Sequence, residues 1–183
     1  ASEETDAAQS VRDLKLPSRR SAAPRRTMEH THLLATTQAR SQISALCKEQ
    51  GIRLWMSEVG SGGSGIAGNL NLAQKLMDDI RYIMPVAWVD WQYVEEGNDQ
   101  WCLVQGDFTK QTYHKVKNYS IRQHFSKFIR PGYTFLTSLN GQTLAARNPE
   151  GDSLIIVAIN PNALPVVHRA DLSFYESISS ELT

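Results

Sequence analysis

The sequence predicts an α/β fold in which a parallel β-α-β unit precedes an antiparallel β region. Apolar runs over residues 53–58 and 86–93 flank a helical pattern over residues 70–84. A helix between two such strands makes a right-handed crossover, so the strands are expected to pair in parallel. From Tyr133 onward, β runs alternate with turn residues, which is typical of an antiparallel sheet.

The segment before residue 53 is expected to hold a tail, a strand and a helix. Residues 1–27 are polar and become basic toward their end, which favours a poorly ordered tail. Residues 28–33 are expected to form a strand. Residues 37–50 carry apolar side chains on one helical stripe, and Gly51 is expected to end that helix.

The helix predicted over residues 70–84 has the clearest apolar periodicity in the chain. Asn69 is expected to cap it, and Met84 is expected to belong to its apolar stripe. Three charged residues are expected on its solvent-facing side: Asp78, Asp79 and Arg81.

The remaining elements follow from turn residues and periodicity. A polar loop is expected over residues 95–100, a short strand over 101–104 and a helix over 113–128. The β runs after that helix are predicted at three places: residues 133–136, 143–146 and 154–159.

Composition excludes several classes of function. The 183 residues carry a formal net charge of zero, so nothing indicates a nucleic-acid or anionic-membrane partner. No apolar stretch is long enough to span a bilayer, and the acidic start of the chain does not predict a signal peptide.

No cofactor or metal site is predicted. The glycine-rich segment 60–68 has neither the dinucleotide-binding spacing nor the P-loop ending, so a βα loop beside a substrate cleft is expected there. The cysteine pair lacks metal-ligand spacing. His30 and His32 alternate onto one face, but two histidines without a third ligand are weak evidence for a metal site. Two cysteines make no framework, so a disulfide between Cys47 and Cys102 is left open.

Glu58 is the first candidate for chemistry. It lies at the carboxyl end of a predicted buried parallel strand, the end that carries the active site in barrels built from such strands. A carboxylate is costly to bury unless it is paired or hydrogen-bonded. The alternative is a solvated or arginine-paired residue at the edge of a loop, which is the commoner situation for a carboxylate.

Three aromatic residues accompany the second parallel strand. By the two-residue period of a strand, Trp88 and Trp91 lie on opposite faces, whereas Trp91 and Tyr93 share one face. Trp88 is expected in the core. An aromatic platform beside a carboxylate suits a sugar ring, which offers C–H faces to stack and hydroxyls to bond.

Three segments together resemble glycoside hydrolase family 30, in its order and with similar spacing. Residues 54–60 (LWMSEVG) resemble the strand that carries the family's nucleophile. Residues 87–95 (AWVDWQYVE) and 125–132 (FSKFIRPG) resemble its last barrel strand and the entry into its side β-sandwich. The resemblance covers residues 28–170. Within the family, the residues of these segments are most similar to those of the endo-β-1,6-galactanase group.

The resemblance implies the C-terminal portion of a (β/α)8 TIM barrel followed by part of an antiparallel β-sandwich. Residues 1–27 would be a tail, 28–130 partial catalytic barrel and 131–183 partial sandwich. The implied protein is a secreted, retaining glycoside hydrolase that acts on a β-galactan-type polysaccharide without a cofactor.

The resemblance also assigns site residues. Glu58 takes the position of the nucleophile, and His30, Trp91 and Tyr93 take substrate-binding positions. His32 replaces an aromatic hydroxyl of the family pattern. The family's acid/base lies in an Asn-Glu pair that is absent from this sequence, so the chain is expected to be a fragment that is inactive alone.

Two alternatives remain open from the sequence. One is a non-catalytic carbohydrate-binding or structural β-rich module that uses Trp91, Tyr93 and Trp101 as a platform. The other is a glucosylceramidase-like or xylanase-like hydrolase of the same family.

Overall fold

The computed structural model describes residues 27–31, 37–60, 63, 65–137 and 140–173, with the backbone alone for 27–31. Its helices are α1 (Thr37–Glu49), α2 (Gly65–Asp78), a π-helical turn (Asp79–Ile83) and α3 (Lys117–Ser126). Its nine strands are β1 (Thr27–Thr31), β2 (Arg53–Val59), β3 (Ala87–Asp90), β4 (Val94–Glu96), β5 (Val104–Asp107), β6 (Thr112–Lys115), β7 (Thr134–Leu136), β8 (Thr143–Arg147) and β9 (Leu154–Ala158).

Three sheets of three strands organise the described chain. Strands β1, β2 and β3 form a parallel sheet whose spatial order equals the chain order. The predicted parallel β-α-β unit is therefore confirmed. Strands β4 and β5 pair in parallel and β5 and β6 antiparallel, whereas β7, β8 and β9 form the predicted antiparallel sheet.

Two apolar clusters hold the layers together. The first joins α1, β2 and the π-helical turn through six buried side chains: Ile43, Cys47, Leu54, Met56, Val59 and Ile83. The second joins α2 and α3 to β8 and β9 through Ala73, Leu76, Met77, Phe125, Leu144 and Val157. Trp88 packs against both clusters. The β7–β9 sheet thus packs directly on the two helices.

The helix predicted over residues 70–84 begins earlier in the structure than expected, and its last part is a π-helical turn. It begins at Gly65, so Asn69 is buried within α2 rather than capping it. The π-helical turn inserts one extra residue per turn, which rotates the later side chains. Asp79 is therefore completely buried, and Met84, at a φ of 52°, ends the turn with an exposed side chain.

The predicted helix over 113–128 begins later than expected. Thr112–Lys115 forms β6, which pairs with β5 through a tight hairpin. Gln111 turns the chain at a φ of 54°, and the Lys110 amide donates to Asp107 across the hairpin. The β5 strand accordingly covers Val104–Asp107 instead of residues 101–104, and β4 occupies part of the predicted polar loop.

Arg81 attaches the antiparallel sheet to the helices, and it is only partly exposed. Its Nη2 donates to the carbonyls of Thr143 at 2.6 Å and Asn140 at 3.0 Å, and its Nη1 donates to Gly141 at 3.2 Å. Gln74 Nε2 donates to the same Gly141 carbonyl at 3.1 Å. The Arg81 guanidinium thus supplies hydrogen bonds to the backbone carbonyls of the turn before β8. The prediction that Arg81 faces solvent is therefore wrong.

Replacing the Arg81 guanidinium should lower the stability of the chain. Arg81→Met keeps the aliphatic stem but removes charge-assisted hydrogen bonds, so we expect the free energy of unfolding to fall by about 1.5–3 kcal/mol. Urea denaturation measures this change, with Arg147→Met at the exposed end of β8 as the control. Equal free energies of unfolding in the two variants would show that the hydrogen bonds of the Arg81 guanidinium do not stabilise the fold.

Candidate active site

Strand β2 carries one residue more than either neighbour near its carboxyl end. Between Trp55 and Glu58, β2 advances three residues while β1 advances two, from Glu29 to Thr31. Strand β3 also advances only two residues, from Trp88 to Asp90, while β2 advances from Met56 to Val59. Both neighbours therefore place a β-bulge around Ser57.

The bulge changes the face on which Glu58 lies. Leu54, Met56 and Val59 all belong to the buried cluster under α1, although strict alternation would put Glu58 with Leu54 and Met56. The extra residue moves Val59 into the cluster and places Glu58 on the opposite face, with the exposed Trp55. We call this opposite face of β1–β3 the open face. Glu58 is half-buried there.

The neighbouring strands complete the surroundings of Glu58. Thr31, at the end of β1, is in register with Glu58. On the other side, the backbone N–H of Trp91 donates to the Val59 carbonyl at 3.0 Å, which fixes Trp91 beside the residue that follows Glu58. The carboxyl ends of three parallel strands thus converge at Glu58.

Aromatic side chains border this edge. Trp91 is 47% exposed and Tyr93 is 60% exposed, directly after β3. By contrast, Trp88 packs against both apolar clusters. Trp88 is therefore packed, whereas Trp91 and Tyr93 are accessible. The strand predicted over residues 86–93 is too long, because β3 ends at Asp90, so the two-residue period of a strand does not place Trp91 and Tyr93 on one face.

Asp90 ends β3 but lies on the packed face rather than beside Glu58. It is in register with Val59, and Arg122 Nε donates to its Oδ2 at 2.7 Å. The Arg122 guanidinium also lies 4.6 Å from the centre of the Trp88 ring. Burial raises the pKa of Asp90, whereas Arg122 opposes that rise. The sequence does not reveal this pair, because Asp90 and Arg122 lie 32 residues apart along the chain.

Asp79 forms a second buried charge site. Its Oδ2 accepts a hydrogen bond from Trp88 Nε1 at 2.8 Å, and its Oδ1 lies 3.3 Å from Arg40 Nε. The latter contact is an ion pair without the direction of a good hydrogen bond. Burial raises the pKa of Asp79, and the Trp88 bond and the Arg40 charge lower it. The prediction that Asp79 faces solvent is wrong.

The loop after β2 returns onto α2 at close range. Gly68 is buried, and a Cβ on it would overlap the backbone of Gly63. Only glycine therefore permits this approach of loop to helix. It holds the chain that leaves Glu58 against the first turn of α2.

The predicted histidine and cysteine positions lie away from the described surroundings of Glu58 or outside the described side chains. His30 lies in β1, but its side chain, like all of His32, lies outside the described residues. Cys47 and Cys102 are both free and buried, and burial raises the pKa of both thiols.

The described residues form neither a membrane-spanning helix nor a cluster of metal ligands. No described helix is long and apolar enough to cross a bilayer. Within the described ranges, no three His, Cys, Asp or Glu side chains are grouped to hold a metal ion.

No protein-family model matches the chain. An endo-β-1,6-galactanase from Hypocrea rufa is 30% identical over 122 residues, which are 66% of this chain and 24% of that protein. The chain thus spans about a quarter of the length of this curated relative.

Solved structures are similar in fold. A GH30 endoxylanase from Clostridium papyrosolvens matches with a TM-score of 0.52 and 19% identity, over 74% of this chain and 33% of that one. The catalytic domain of GH30 xylanase C from Talaromyces cellulolyticus matches with a TM-score of 0.50 and 22% identity, over 61% and 28%. SrfJ from Salmonella typhimurium matches with a TM-score of 0.51 and 16% identity, over 62% and 29%.

The bulge is testable by deletion. Removing Ser57 takes out the extra residue, so regular alternation should keep Leu54, Met56 and Val59 on the buried face and Glu58 on the open face. We expect the free energy of unfolding in urea denaturation to change by about 1 kcal/mol or less. Deleting the completely buried Met56 instead would put Ser57 in its place in the cluster, and should lower the free energy of unfolding by about 2–5 kcal/mol. Equal losses from both deletions would contradict the assignment of Ser57 as the extra residue.

Asp79 makes stability depend on pH. Its pKa lies above the ordinary value of 3.8, so the folded chain holds a proton in a range where the unfolded chain has lost it. Stability relative to Asp79→Asn should therefore fall as pH rises from 3.8 through the folded pKa. Urea denaturation over a pH series measures this, with the exposed Asp99→Asn as control. A slope of opposite sign would show that Arg40 outweighs burial.

Proposed function

The chain resembles glycoside hydrolase family 30, and on that premise we propose that Glu58 is the nucleophile of a retaining β-glycosidase. The carrying observation is the bulge of β2, which turns Glu58 onto the open face at the carboxyl end of a parallel strand. Bulges occur next to active sites because they re-aim a side chain. A solvated loop-edge carboxylate needs no such arrangement.

The surroundings support a glycosyl ligand at this position. Trp91 and Tyr93 offer exposed rings on which a sugar can stack, and the Trp91 backbone is fixed to the strand of Glu58. His30 is proposed as a further substrate contact through its place in β1. The proposed substrate is a β-1,6-galactan, the polymer that appears in the name of the Hypocrea rufa relative. Xylan and glucosylceramide remain the rival substrates.

The chemistry requires a second carboxylate. In a retaining glycosidase the nucleophile and the acid/base lie about 5 Å apart. Asp90 does not suit that role, because it lies on the packed face and binds Arg122. We infer that the acid/base lies outside the described residues, and that the chain without it would cleave glycosides poorly.

The wider organisation is proposed on the same premise. Residues 28–130 would be the last part of a (β/α)8 barrel, residues 131–183 part of a side β-sandwich, and residues 1–27 a tail. The protein would act outside the cell on a polysaccharide.

An activated fluorosugar tests the nucleophile without the acid/base. In 2,4-dinitrophenyl 2-deoxy-2-fluoro-β-galactoside the leaving group needs no proton. A Glu58 carboxylate oxygen should bond to C1 while the C1–O bond breaks and dinitrophenolate departs. We expect the intact mass to rise by one fluorogalactosyl group, and peptide mapping to place that group on Glu58.

Glu58→Gln should abolish this labelling, whereas Glu49→Gln at the exposed end of α1 should leave it unchanged. Labelling on another carboxylate, or equal labelling in Glu58→Gln, would refute the assignment. Reducing-sugar release from β-1,6-galactan, xylan and glucosylceramide then compares the three substrates.

A further inference from the structure

The chain contains one acceptor pattern for N-linked glycans, and it lies where a glycan does not fit. Asn118-Tyr119-Ser120 matches Asn-X-Ser/Thr and is the single match in the 183 residues. Such acceptors ordinarily lie on the surface of secreted proteins, because the attached oligosaccharide is bulky and hydrated. Here the pattern lies in the first turn of α3, and Asn118 is 3% exposed. The folded chain therefore hides the atom that would carry the sugar.

Both polar atoms of the Asn118 amide are hydrogen-bonded. Its Oδ1 accepts a hydrogen bond from Asn69 Nδ2 at 2.8 Å. Its Nδ2 donates to the Gln100 carbonyl at 3.0 Å and to the Cys102 carbonyl at 3.3 Å. Two carbonyls need a donor opposite them, so they fix which end of the amide faces them. Both hydrogens of Nδ2 are thus committed to the backbone before β5.

These bonds join three parts of the fold. Asn69 is buried in the second turn of α2, Asn118 lies in the first turn of α3, and the two carbonyls precede β5. We call Asn69, Gln100, Cys102 and Asn118 the amide junction. The junction holds the β4–β6 sheet against the two helices, and it requires an unmodified Asn118.

Helical geometry also separates the two side chains that a glycosyltransferase must recognise together. Successive residues turn by about 100° around a helix axis, so residues two apart point in nearly opposite directions. Asn118 is accordingly buried, whereas Ser120 is exposed. The transferase needs the asparagine amide and the hydroxyl in one active site, so it can act only before α3 forms.

The chemistry of glycosylation would remove part of the junction. The Nδ2 of Asn118 would bond to C1 of the first sugar as the C1–O bond to a lipid diphosphate donor breaks. The lipid diphosphate departs, and one amide proton passes to a base of the transferase. The modified nitrogen keeps a single hydrogen, so one of the two buried carbonyls loses its donor. The sugar ring would also need space that the packed residues occupy.

We propose that glycosylation of Asn118 and assembly of the amide junction exclude each other. A chain that folds first keeps the acceptor unmodified. A chain that is glycosylated first cannot place the β4–β6 sheet against α2 and α3. The inference rests on the proposed function only in that a protein acting outside the cell meets this transferase during secretion, and it does not depend on Glu58.

Cell-free synthesis with endoplasmic reticulum microsomes tests the proposal. The 183-residue chain is made behind a cleavable signal peptide and released with detergent. Loss of mass on treatment with an N-glycosidase measures occupancy, and limited trypsin digestion separates folded from unfolded molecules. We expect trypsin-resistant molecules to carry no glycan and glycosylated molecules to be digested. Trypsin-resistant molecules that carry a glycan at Asn118 would overturn the proposal.

A matched control moves the acceptor to the exposed side of the same helix. Ser120→Ala removes the original acceptor, and adding His124→Asn creates a new one with Phe125 and Ser126; both substituted residues are exposed. We expect this double variant to be glycosylated and trypsin-resistant. Digestion of the glycosylated double variant would show that a glycan anywhere on α3 prevents folding, which contradicts a specific role for the amide junction.

Two single variants decide the result at either extreme of occupancy. If every unmodified-sequence chain is glycosylated, Ser120→Ala should restore trypsin resistance. If none is, Asn69→Ala, which removes a donor to Asn118 but keeps the acceptor, should delay packing and make glycosylation detectable. Failure of the applicable expectation would overturn the proposal. Fluorosugar labelling of the Ser120→Ala chain tests the Glu58 nucleophile separately, because that chain carries no acceptor.

Discussion

The indole of Trp88 connects the layers of this structure. Its ring packs against both apolar clusters, its N–H donates to the completely buried Asp79, and the Arg122 guanidinium lies over its ring. Arg122 in turn holds Asp90, two residues further along β3. One side chain thus links α3 to β3 and to the π-helical turn. Without a partner, each buried charge would carry a large desolvation cost.

That desolvation cost explains why each buried carboxylate lies beside an arginine from another element. Arg40 approaches Asp79 from α1, and Arg122 approaches Asp90 from α3. Each pair spans two elements, so the helices are positioned by directed contacts as well as by apolar packing. Burial still raises the pKa of both carboxyl groups, which means that the partners compensate only in part for lost hydration.

The same scaffold separates two carboxylates that are close in the sheet. Asp90 stays on the packed face and serves the structure, whereas the bulge in β2 moves Glu58 to the open face. Polar anchors fix the neighbouring sheets. Asn69 and Asn118 hold the β4–β6 sheet, and Arg81 holds the turn before β8.

The sequence alone determined the features that depend on neighbours along the chain. The apolar periods place α1, β2 and the final antiparallel strands within a residue or two, and Glu58 falls at the carboxyl end of its strand. Turn residues such as Gly51, at a φ of 65°, mark the ends. These signals are local, because periodicity and backbone freedom act over a few residues.

Only the tertiary structure decided on which face Glu58 lies and that Asp79 is buried. The bulge at Ser57 exists because β2 pairs with two strands whose registers both omit one residue, and nothing in residues 53–59 records that. The π-helical turn likewise reverses the expected exposure of Asp79, since Trp88 and Arg40 supply its partners. Tyr113 lies in a strand rather than a helix because β5 pairs with it. Strand register and buried charge pairs join residues distant in sequence, so they are settled only when the chain folds.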